Sequence, residues 1–403
     1  MAQETPTWLN SSFVEKILRE SEGDDSIRVI DIISKSATAK GDHYCSNMMR
    51  VTAKFSHGQG DEITEKSMIF KIAPSLESAQ GEILAESGAF DFEISMISDT
   101  LNKMNKLLEP KYRLGPKGLY VQKENPQIVV MEDLSALGYR MADRLSGFDL
   151  DHSILSIRAL ARFHATSVAV CEKEPEQKKK YAIGTYSNEH PSSVANFYIV
   201  TTKALAKEIA NWPGMKRYAE KIAKIADRIY EIAIDVSKPS EDEFNVINHG
   251  DYWVNNMLFK YDDNGKPIDH ISVDFQTCFY TSPAMDLLYF LETSPSLDVI
   301  ENKKDILLNE YLDTLSTTMK QLNCKTQPPT MEELKDILKR KASLGMITAF
   351  TILPLILCSK SEAKDYNEIM NDVENHPGFK SEIFRDVIMK RIPMYDEWGL
   401  LDL

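Results

Sequence analysis

One stretch in the second half of the chain restricts the fold more than any other part of the sequence. An apolar strand and a tight glycine turn precede Asp251, and a second strand begins at Asn256, five residues later. The turn at residues 262–265, Asp-Asp-Asn-Gly, is typical of a β-hairpin, which would return the chain to Asp274. This hairpin predicts that a carboxylate, an amide oxygen and a second carboxylate surround one cavity.

The spacing of these residues indicates phosphoryl transfer. In that reaction one carboxylate positions the acceptor hydroxyl and takes its proton, while an amide and a second carboxylate hold the magnesium that neutralises the nucleotide phosphates. The pattern His-x-Asp-x-x-x-x-Asn, then a hairpin, then Asp-Phe predicts Asp251 as the catalytic residue and Asn256 and Asp274 as metal ligands. Each residue alone could instead satisfy turn amides or end a strand, but the complete set favours the functional interpretation. His249 and Asp286 are predicted to support the loop structurally.

The remaining parts of a nucleotide site are predicted upstream. Lys71 ends an apolar strand, where a lysine can reach the α- and β-phosphates, and Glu93 on the following helix can pair with it. A turn of small residues that ends at Ser46 would cover the phosphates with backbone N–H groups and the Ser46 hydroxyl. The segment that contains Glu132 and Leu134 would be the hinge, whose backbone groups bind adenine. ATP and Mg²⁺ are therefore the expected cofactors.

The order of predicted elements indicates an α+β fold with two lobes. Strands are predicted at 27–33, 48–55, 67–72, 127–131, 245–248, 257–261 and 270–274, and a long helix at 81–103. We expect a nucleotide-binding lobe at 1–133, with an antiparallel sheet and one main helix. The catalytic and substrate-binding lobe at 134–403 is expected to be mostly helical, with a helical insertion at about 171–243 that helps to build the acceptor pocket.

Four local features complete the predicted secondary structure. Ser12 and Glu15 have the spacing of a capping box and predict a first helix that runs to about residue 20. Asp151 could cap a helix through about residue 170, and the charged stretch 172–180 is predicted to be a solvated loop. The apolar run 344–358 is shorter than the ~20 residues that a membrane span needs, so it predicts a buried helix broken near its proline.

Charge and cysteine content exclude several classes of function. The chain has 47 Lys and Arg against 61 Asp and Glu, a formal net charge of −14, which disfavours broad binding to nucleic acid or anionic membranes. The five cysteines are scattered and form no Cys-x-x-Cys pair, so neither a disulfide framework nor a zinc ribbon is indicated. The first residues lack the basic and apolar regions of a signal peptide. We expect a cytoplasmic protein with a small hydroxylated substrate and no obligate protein partner.

Several segments resemble the ecdysteroid kinase-like family of arthropods, also called CHK kinase-like. The most specific are His-Gly-Asp-x-Trp-x-x-Asn at 249–256 and Asp-Phe-Gln at 274–276, and the segments at 41–46, 87–93 and 160–165 add to them. The family is grouped with the choline and aminoglycoside kinases in the protein-kinase-like fold. The resemblance implies ATP-dependent phosphorylation of a hydroxyl on a small, often lipophilic molecule. Ecdysteroids are the best-known acceptors of the family. Hydroxylated xenobiotics are a second class of acceptor, which implies a role in detoxification.

Two other functions stay open from the sequence. A choline-like or aminoglycoside-like cation would suit the acidic chain, and Tyr252, Trp253 and Tyr280 lie near the motif in sequence and could form an aromatic cage. The other alternative is a kinase-like protein that binds a lipophilic ligand without catalysis, although every expected catalytic position is filled. Cys278, four residues beyond Asp274, could place a thiol near the site.

Overall fold

The first lobe is built on an antiparallel sheet of five strands. The computed structural model describes residues 6–37, 47–58, 62–124, 126–359, 361–362, 364 and 366–402. The strands of this sheet are β1 (Arg28–Ser36), β2 (Asn47–Ser56), β3 (Ile63–Ile72), β4 (Gly118–Gln122) and β5 (Ile128–Glu132). They pair in the order β1-β2-β3-β5-β4, so β3 lies at the centre of the sheet. Lys71 therefore sits on the central strand, opposite Met48 of β2 and Val129 of β5.

The first lobe also contains four described helices. They are α1 (Ser11–Glu22), α2 (Ala79–Ser87), α3 (Ala89–Ser95) and α4 (Leu101–Leu107), with a π-helical turn at Met96–Thr100 between the last two. The prediction of one continuous helix at 81–103 is wrong, because Gly88 has a φ of 66°. This left-handed conformation suits glycine, ends α2 and changes the direction in which α3 begins. The change in direction determines where α3 carries Glu93.

The second lobe is mostly helical, as predicted. Its described helices are α5 (Leu150–Lys173), α6 (Glu176–Lys180), α7 (Ser192–Ile209), α8 (Lys216–Ile225), α9 (Ile229–Ser237), α10 (Ala284–Thr293), α11 (Leu297–Gln321), α12 (Met331–Arg340), α13 (Ala342–Thr351), α14 (Leu353–Ile356), α15 (Tyr366–Asn371) and α16 (Glu382–Glu397). Short strands embedded among them are β6 (Arg140–Met141), β7 (Val246–Asn248), β8 (Met257–Tyr261), β9 (Pro267–Ser272) and β10 (Phe279–Thr281). The predicted α+β bilobal fold is confirmed.

The embedded strands form two small sheets that present the loop of the motif. One has the order β6-β8-β9, and the other pairs β7 with β10. The predicted hairpin joins β8 to β9, and its turn is closed by a 2.9 Å hydrogen bond from the Asp262 N–H to the Lys266 carbonyl. The strand predicted at 270–274 instead ends at Ser272, so Asp274 lies just beyond it in irregular backbone.

Helix α5 forms the centre of the second lobe. It is the one helix of the described residues that is long and apolar enough to span a membrane, and 72% of its apolar window is buried inside the fold. It packs against α11, β7 and β9. Such enclosure is typical of the core helix of a globular domain.

Two predicted helix caps are each wrong by two residues. Helix α1 begins at Ser11 because Asn10 caps it, accepting a 3.0 Å hydrogen bond from the Phe13 N–H. The predicted capping box fails because the Glu15 carboxylate accepts a hydrogen bond from the Val29 N–H of β1 instead, at 2.9 Å. Helix α5 is capped by Asp149 rather than by Asp151.

The charged stretch 172–180 is not the solvated loop that was predicted. It contains α6, and Gln177 within it is buried and accepts a 3.1 Å hydrogen bond from the Thr100 hydroxyl. Lys180 binds the Asp99 carboxylate at 2.8 Å. The stretch therefore docks on the π-helical turn of the first lobe. By contrast, the apolar run 344–358 is broken near its proline, as predicted: the break between α13 and α14 is at Ile352, and Pro354 lies in the first turn of α14.

Candidate active site

The loop between β7 and β8 carries the first group of predicted site residues. Gly250 has a φ of 84°, and a Cβ at this position would collide with the backbone carbonyl of Thr277. Only glycine fits both the conformation and the close approach, so the chain turns sharply here and presents Asp251. A single 3-10 turn, Val254–Asn256, then leads into β8.

Three side chains hold the Asp251 carboxylate. The Tyr289 hydroxyl donates to Oδ1 at 2.7 Å, Asn256 Nδ2 donates to Oδ2 at 2.8 Å, and Trp253 Nε1 donates to Oδ2 at 3.3 Å. Burial, and then the negative charge of Asp274, raises the pKa of Asp251 to about 6, although these hydrogen bonds oppose the rise. A carboxylate with such a pKa is a better proton acceptor than an ordinary aspartate.

The backbone of this loop is fixed by a second carboxylate. Asp286 on α10 accepts hydrogen bonds from the backbone N–H groups of His249 and Gly250, at 2.6 and 2.8 Å, and lies 3.0 Å from His164 Nε2. The His249 ring donates through Nε2 to the Val273 carbonyl at 3.0 Å, and burial lowers its pKa. Both side chains thus hold the loop that presents Asp251.

A second group of site residues meets at Lys71. Its ammonium lies 2.5 Å from Glu93 Oε2 and 2.6 Å from Asp274 Oδ1. The three side chains are only 3%, 0% and 11% exposed. Burial acts to lower the pKa of Lys71, but the charges of Asp274 and Glu93 outweigh it and raise that pKa above its ordinary value. Burial acts in the opposite sense on Glu93 and raises its pKa, while the Lys71 charge resists the shift. Lys71 therefore stays charged and links β3, α3 and the segment after β9.

Asp274 itself has an unusual backbone. Its φ is 69°, which places a residue other than glycine in the left-handed region. Such a conformation is strained and is found most often at functional sites, where the surroundings hold it. Here the next residue, Phe275, is fully buried between the rings of His249 and Phe163, with centroids 4.9 and 5.9 Å away. Phe275 thus anchors the segment, and the turn at Asp274 directs its carboxylate towards Lys71.

A pocket between the lobes leads from Lys71 to the predicted hinge. Its apolar lining comes from both lobes and includes Met48, Ile69, Met131, Leu134 and Leu258. The predicted hinge residue Glu132 donates its N–H to the Lys117 carbonyl at 3.0 Å, and its carboxylate binds Arg113. Neither group of Glu132 is therefore available to a ligand, and the Leu134 carbonyl already accepts the Tyr139 N–H at 3.1 Å. The predicted contact with adenine would therefore use the Glu132 carbonyl and the Leu134 N–H. Ser46 lies outside the described residues.

Two features of this region were missed by sequence reasoning. Asp133 joins β2, β3 and the hinge, since its carboxylate binds Arg50 at 2.6 Å and Ser67 at 2.7 Å, and Arg50 also donates to Ser135 at 2.8 Å. The contact from Tyr289 to Asp251 is the other. Asp133-x-Ser135 at the end of a strand is a turn signal that could have identified the first, whereas no local pattern points to the second.

The aromatic and thiol residues near the motif have different surroundings from those expected. Tyr252 is buried in the core and donates its hydroxyl to the Ser156 carbonyl at 2.8 Å. Tyr280 stacks with Lys178, whose ammonium lies 5.2 Å from its ring centre. Only Trp253 of the three contacts Asp251. Cys278 is fully buried, and burial raises its pKa well above its usual range, so it is not a reactive thiol.

The model of the Ecdysteroid kinase-like family matches residues 40–324, which is more than half of the chain. The chain belongs to the ecdysteroid kinase-like family. It is accordingly a kinase-like small-molecule phosphotransferase, an enzyme whose acceptor is an alcohol group. This ecdysteroid kinase-like protein has its site elements in the order typical of the protein-kinase-like fold. A lysine on β3 is followed by a glutamate on a helix of the same lobe, and then by the Asp, Asn and Asp around a hairpin.

Solved structures give more distant matches to this ecdysteroid kinase-like protein. They include macrolide 2'-phosphotransferase MphH from Brachybacterium faecium, with 10% identity, a TM-score of 0.38 and coverage of 92% of this chain and 97% of that one. Amicoumacin kinase hAmiN, in complex with AMP-PNP, Ca²⁺ and Ami, matches with 13% identity and a TM-score of 0.40, and the match covers 94% of this chain and 97% of that one. A choline/ethanolamine kinase family protein from Mesorhizobium loti matches with 12% identity and a TM-score of 0.33, and the match covers 84% of this chain and 90% of that one. No curated protein matches the sequence.

Proposed function

We propose that this protein transfers the γ-phosphate of ATP to a hydroxyl of a small lipophilic molecule, an ecdysteroid or a hydroxylated xenobiotic. The observation that carries the proposal is the buried contact of Lys71 with both Glu93 and Asp274, which places a charged ammonium at the end of the pocket between the lobes. Asn256 connects Asp251 to this cluster, since its side chain donates to Asp251 at 2.8 Å and its carbonyl accepts the N–H of Val273, the neighbour of Asp274, at 3.0 Å. A phosphate-binding cation and a proton acceptor thus share one site, as phosphoryl transfer requires.

The residues then have separate roles. Lys71 binds the α- and β-phosphates and is fixed by Glu93, while Asp251 orients the acceptor hydroxyl and takes its proton. Residues 1–133 form the nucleotide-binding lobe, in which the backbone of Glu132 and Leu134 contacts adenine and Ser46 contacts phosphate. Residues 134–403 form the catalytic and substrate-binding lobe. His249 and Asp286 support the loop structurally.

The donor set around Asp274 fits a magnesium ion. Asn256 commits its Nδ2 to the carbonyl and Oδ2 of Asp251, at 2.9 and 2.8 Å, and this leaves its Oδ1 as the atom able to bind a cation. The described residues contain no cluster of three or more His, Cys, Asp or Glu side chains suited to a metal. A site of Asn256, Asp274 and nucleotide phosphates matches the preference of Mg²⁺, which uses few protein ligands. When bound, the ion neutralises charge on the phosphates.

The acceptor class is proposed from the family and from the neighbours of Asp251. Trp253 and Tyr289 contact its carboxylate, so the described surroundings are aromatic and uncharged on this side. Aromatic faces suit a flat apolar acceptor, and they also suit a quaternary ammonium group. We favour a lipophilic alcohol and a role in detoxification or hormone inactivation, and the test below includes choline. The helical insertion at about 171–243 would supply other parts of the pocket.

We also propose a cytoplasmic location, where ATP is plentiful. The four described cysteines, Cys171, Cys278, Cys324 and Cys358, are free, and three of them are buried. Free buried thiols are typical of proteins in a reducing compartment.

The experiment that tests the proposal is a screen of acceptors with the purified full chain and Mg-ATP. Ecdysone, a hydroxylated lipid, a plant glycoside and choline are each supplied, and ADP release and the mass of the product are measured. We expect phosphorylation of one lipophilic alcohol, its loss in Asp251→Asn, and retained nucleotide binding in that variant. Asp263→Asn in the exposed hairpin turn is the matched control and should keep full activity. Unchanged turnover in Asp251→Asn, or no phosphorylated product in wild type, would contradict the proposal.

A further inference from the structure

Helix α10 contacts the catalytic loop at two points. Asp286 accepts hydrogen bonds from the backbone N–H groups of His249 and Gly250. Tyr289, three residues after Asp286, donates its hydroxyl at 2.7 Å to Asp251, which follows Gly250 in the loop. Residues three apart lie on the same face of a helix, so both contacts come from one face of α10. The helix therefore fixes both the backbone of the loop and the orientation of the carboxylate that the loop presents.

The hydrogen bonds of Asp251 leave a preferred place for the acceptor. An ionised carboxylate has about four lone-pair sites, two on each oxygen. Asn256 and Trp253 both donate to Oδ2, whereas Tyr289 is the one donor to Oδ1 among the described residues. The open lone pair is therefore on Oδ1, beside the phenol of Tyr289. An acceptor hydroxyl that gives its proton to Asp251 would approach at this position.

Tyr289 is suited to a fixed donor role. Burial, together with the charge of Asp251, raises its pKa well above its usual range, so the phenol keeps its proton. Its side chain is half-buried on α10, and it adds a hydrogen bond without adding a charge next to Asp251.

We propose that Tyr289 is a positioning residue, whose phenol holds the Asp251 carboxylate with the open lone pair of Oδ1 towards the acceptor hydroxyl. This inference rests on the proposed function, since it assumes that Asp251 accepts the proton. Rotation of the carboxylate would move that lone pair away from the acceptor. The chemical step would slow, while the binding of nucleotide at Lys71 would not change.

The test compares Tyr289→Phe with Tyr395→Phe in the full chain, with Mg-ATP and ecdysone as the probe acceptor. Tyr395 is a suitable control, because its hydroxyl also donates to a carboxylate, that of Glu292 at 2.9 Å, and it does not contact Asp251. We expect Tyr289→Phe to lower kcat about ten- to a hundredfold, which corresponds to the loss of one hydrogen bond to a charged group. The KM for ATP and the Kd for nucleotide should stay unchanged, and Tyr395→Phe should behave as wild type. A normal kcat in Tyr289→Phe, or an equal loss in both variants, would overturn the inference.

Crystal structures of wild type and Tyr289→Phe separate this inference from the choice of acceptor. We expect one orientation of Asp251 in wild type, bonded to Tyr289, and a rotated carboxylate in the variant. An Asp251 side chain that stays in place without the phenol overturns the positioning role, whether or not ecdysone is phosphorylated. A rotated Asp251 in the variant, combined with a wild type that does not use ecdysone, supports the positioning role and rejects only the proposed acceptor.

Discussion

Lys71 and Asp274 are in direct contact, with Nζ 2.6 Å from Oδ1, although 203 positions separate them in the sequence. The same ammonium binds Glu93 on α3 at 2.5 Å. One buried cation therefore joins the central strand of the first lobe, its helix and the segment that follows the hairpin of the second lobe. Both partners of Lys71 are carboxylates that hold its ammonium in place. A substitution of Glu93 or Asp274 should therefore change the position of the ammonium as well as the stability of the site.

Glu93→Gln tests whether the ammonium must be held from both sides. The neutral amide removes one attraction, so Lys71 would move towards Asp274 and away from the phosphates. We expect kcat/KM for ATP to fall about ten- to a hundredfold, as for other small displacements of a catalytic group. Steady-state kinetics with varied Mg-ATP measure this effect. Glu86→Gln, on the exposed face of α2, is the control, and equal kinetics in the two variants would contradict the role of Glu93.

The left-handed backbone of Asp274 allows a matched pair of substitutions. Asp274→Asn and Asp274→Ala both remove the carboxylate, so both variants should lose metal-dependent phosphoryl transfer. Asparagine tolerates a φ of 69° better than alanine does, so Asp274→Ala should be less stable than Asp274→Asn by about 1 kcal/mol. Urea unfolding measures the difference. Equal stability of the two variants would show that this backbone conformation is not under strain.

The parts of the site that the sequence predicts are those set by short-range geometry. Asp251 and Asn256 are five residues apart, and a recognisable turn brings Asp274 back towards them, so their proximity follows from local structure. The contact from Arg50 to Asp133 spans 83 positions and that from Tyr289 to Asp251 spans 38. Such contacts depend on how whole elements pack: the turn signal at Asp133-x-Ser135 marks Asp133 itself, but no local pattern encodes its partner Arg50 or the contact of Tyr289.

The helix ends show the same limit on a smaller scale. Asn10 and Ser12 are both good N-cap residues, as are Asp149 and Asp151, and propensity does not choose between them. For α1, the choice depends on β1, whose Val29 N–H binds the Glu15 carboxylate that the predicted capping box required. The long helix at 81–103 was over-extended for a related reason, since one glycine within an apolar pattern is a weak signal of a break.

The pKa of Asp251 predicts a pH dependence of catalysis. This pKa is raised from its ordinary value to about 6, mainly by burial. Asp251 accepts a proton only when ionised, so activity should be full above about pH 7 and should fall about tenfold per pH unit below pH 6. The pH profile of kcat/KM for the acceptor measures it, and circular dichroism at pH 5 shows whether the fold is intact. A flat profile down to pH 5 with a folded protein would argue against Asp251 as the base.

Asp133 is expected to stabilise the hinge. Its side chain is 4% exposed and binds Arg50 at 2.6 Å, so Asp133→Asn leaves Arg50 without its charged partner and should lower the free energy of unfolding by about 3 kcal/mol. Burial acts to raise the pKa of Asp133, but hydrogen bonds from Arg50 and Ser67 hold it below its ordinary value. A lowered folded-state pKa means that this stability is present above about pH 4 and is lost as the pH falls further. Urea unfolding at pH 7 and at pH 3.5 measures both effects, with the exposed Asp25→Asn as control. If Asp133→Asn and Asp25→Asn unfold alike at pH 7, the network around Asp133 does not stabilise the hinge.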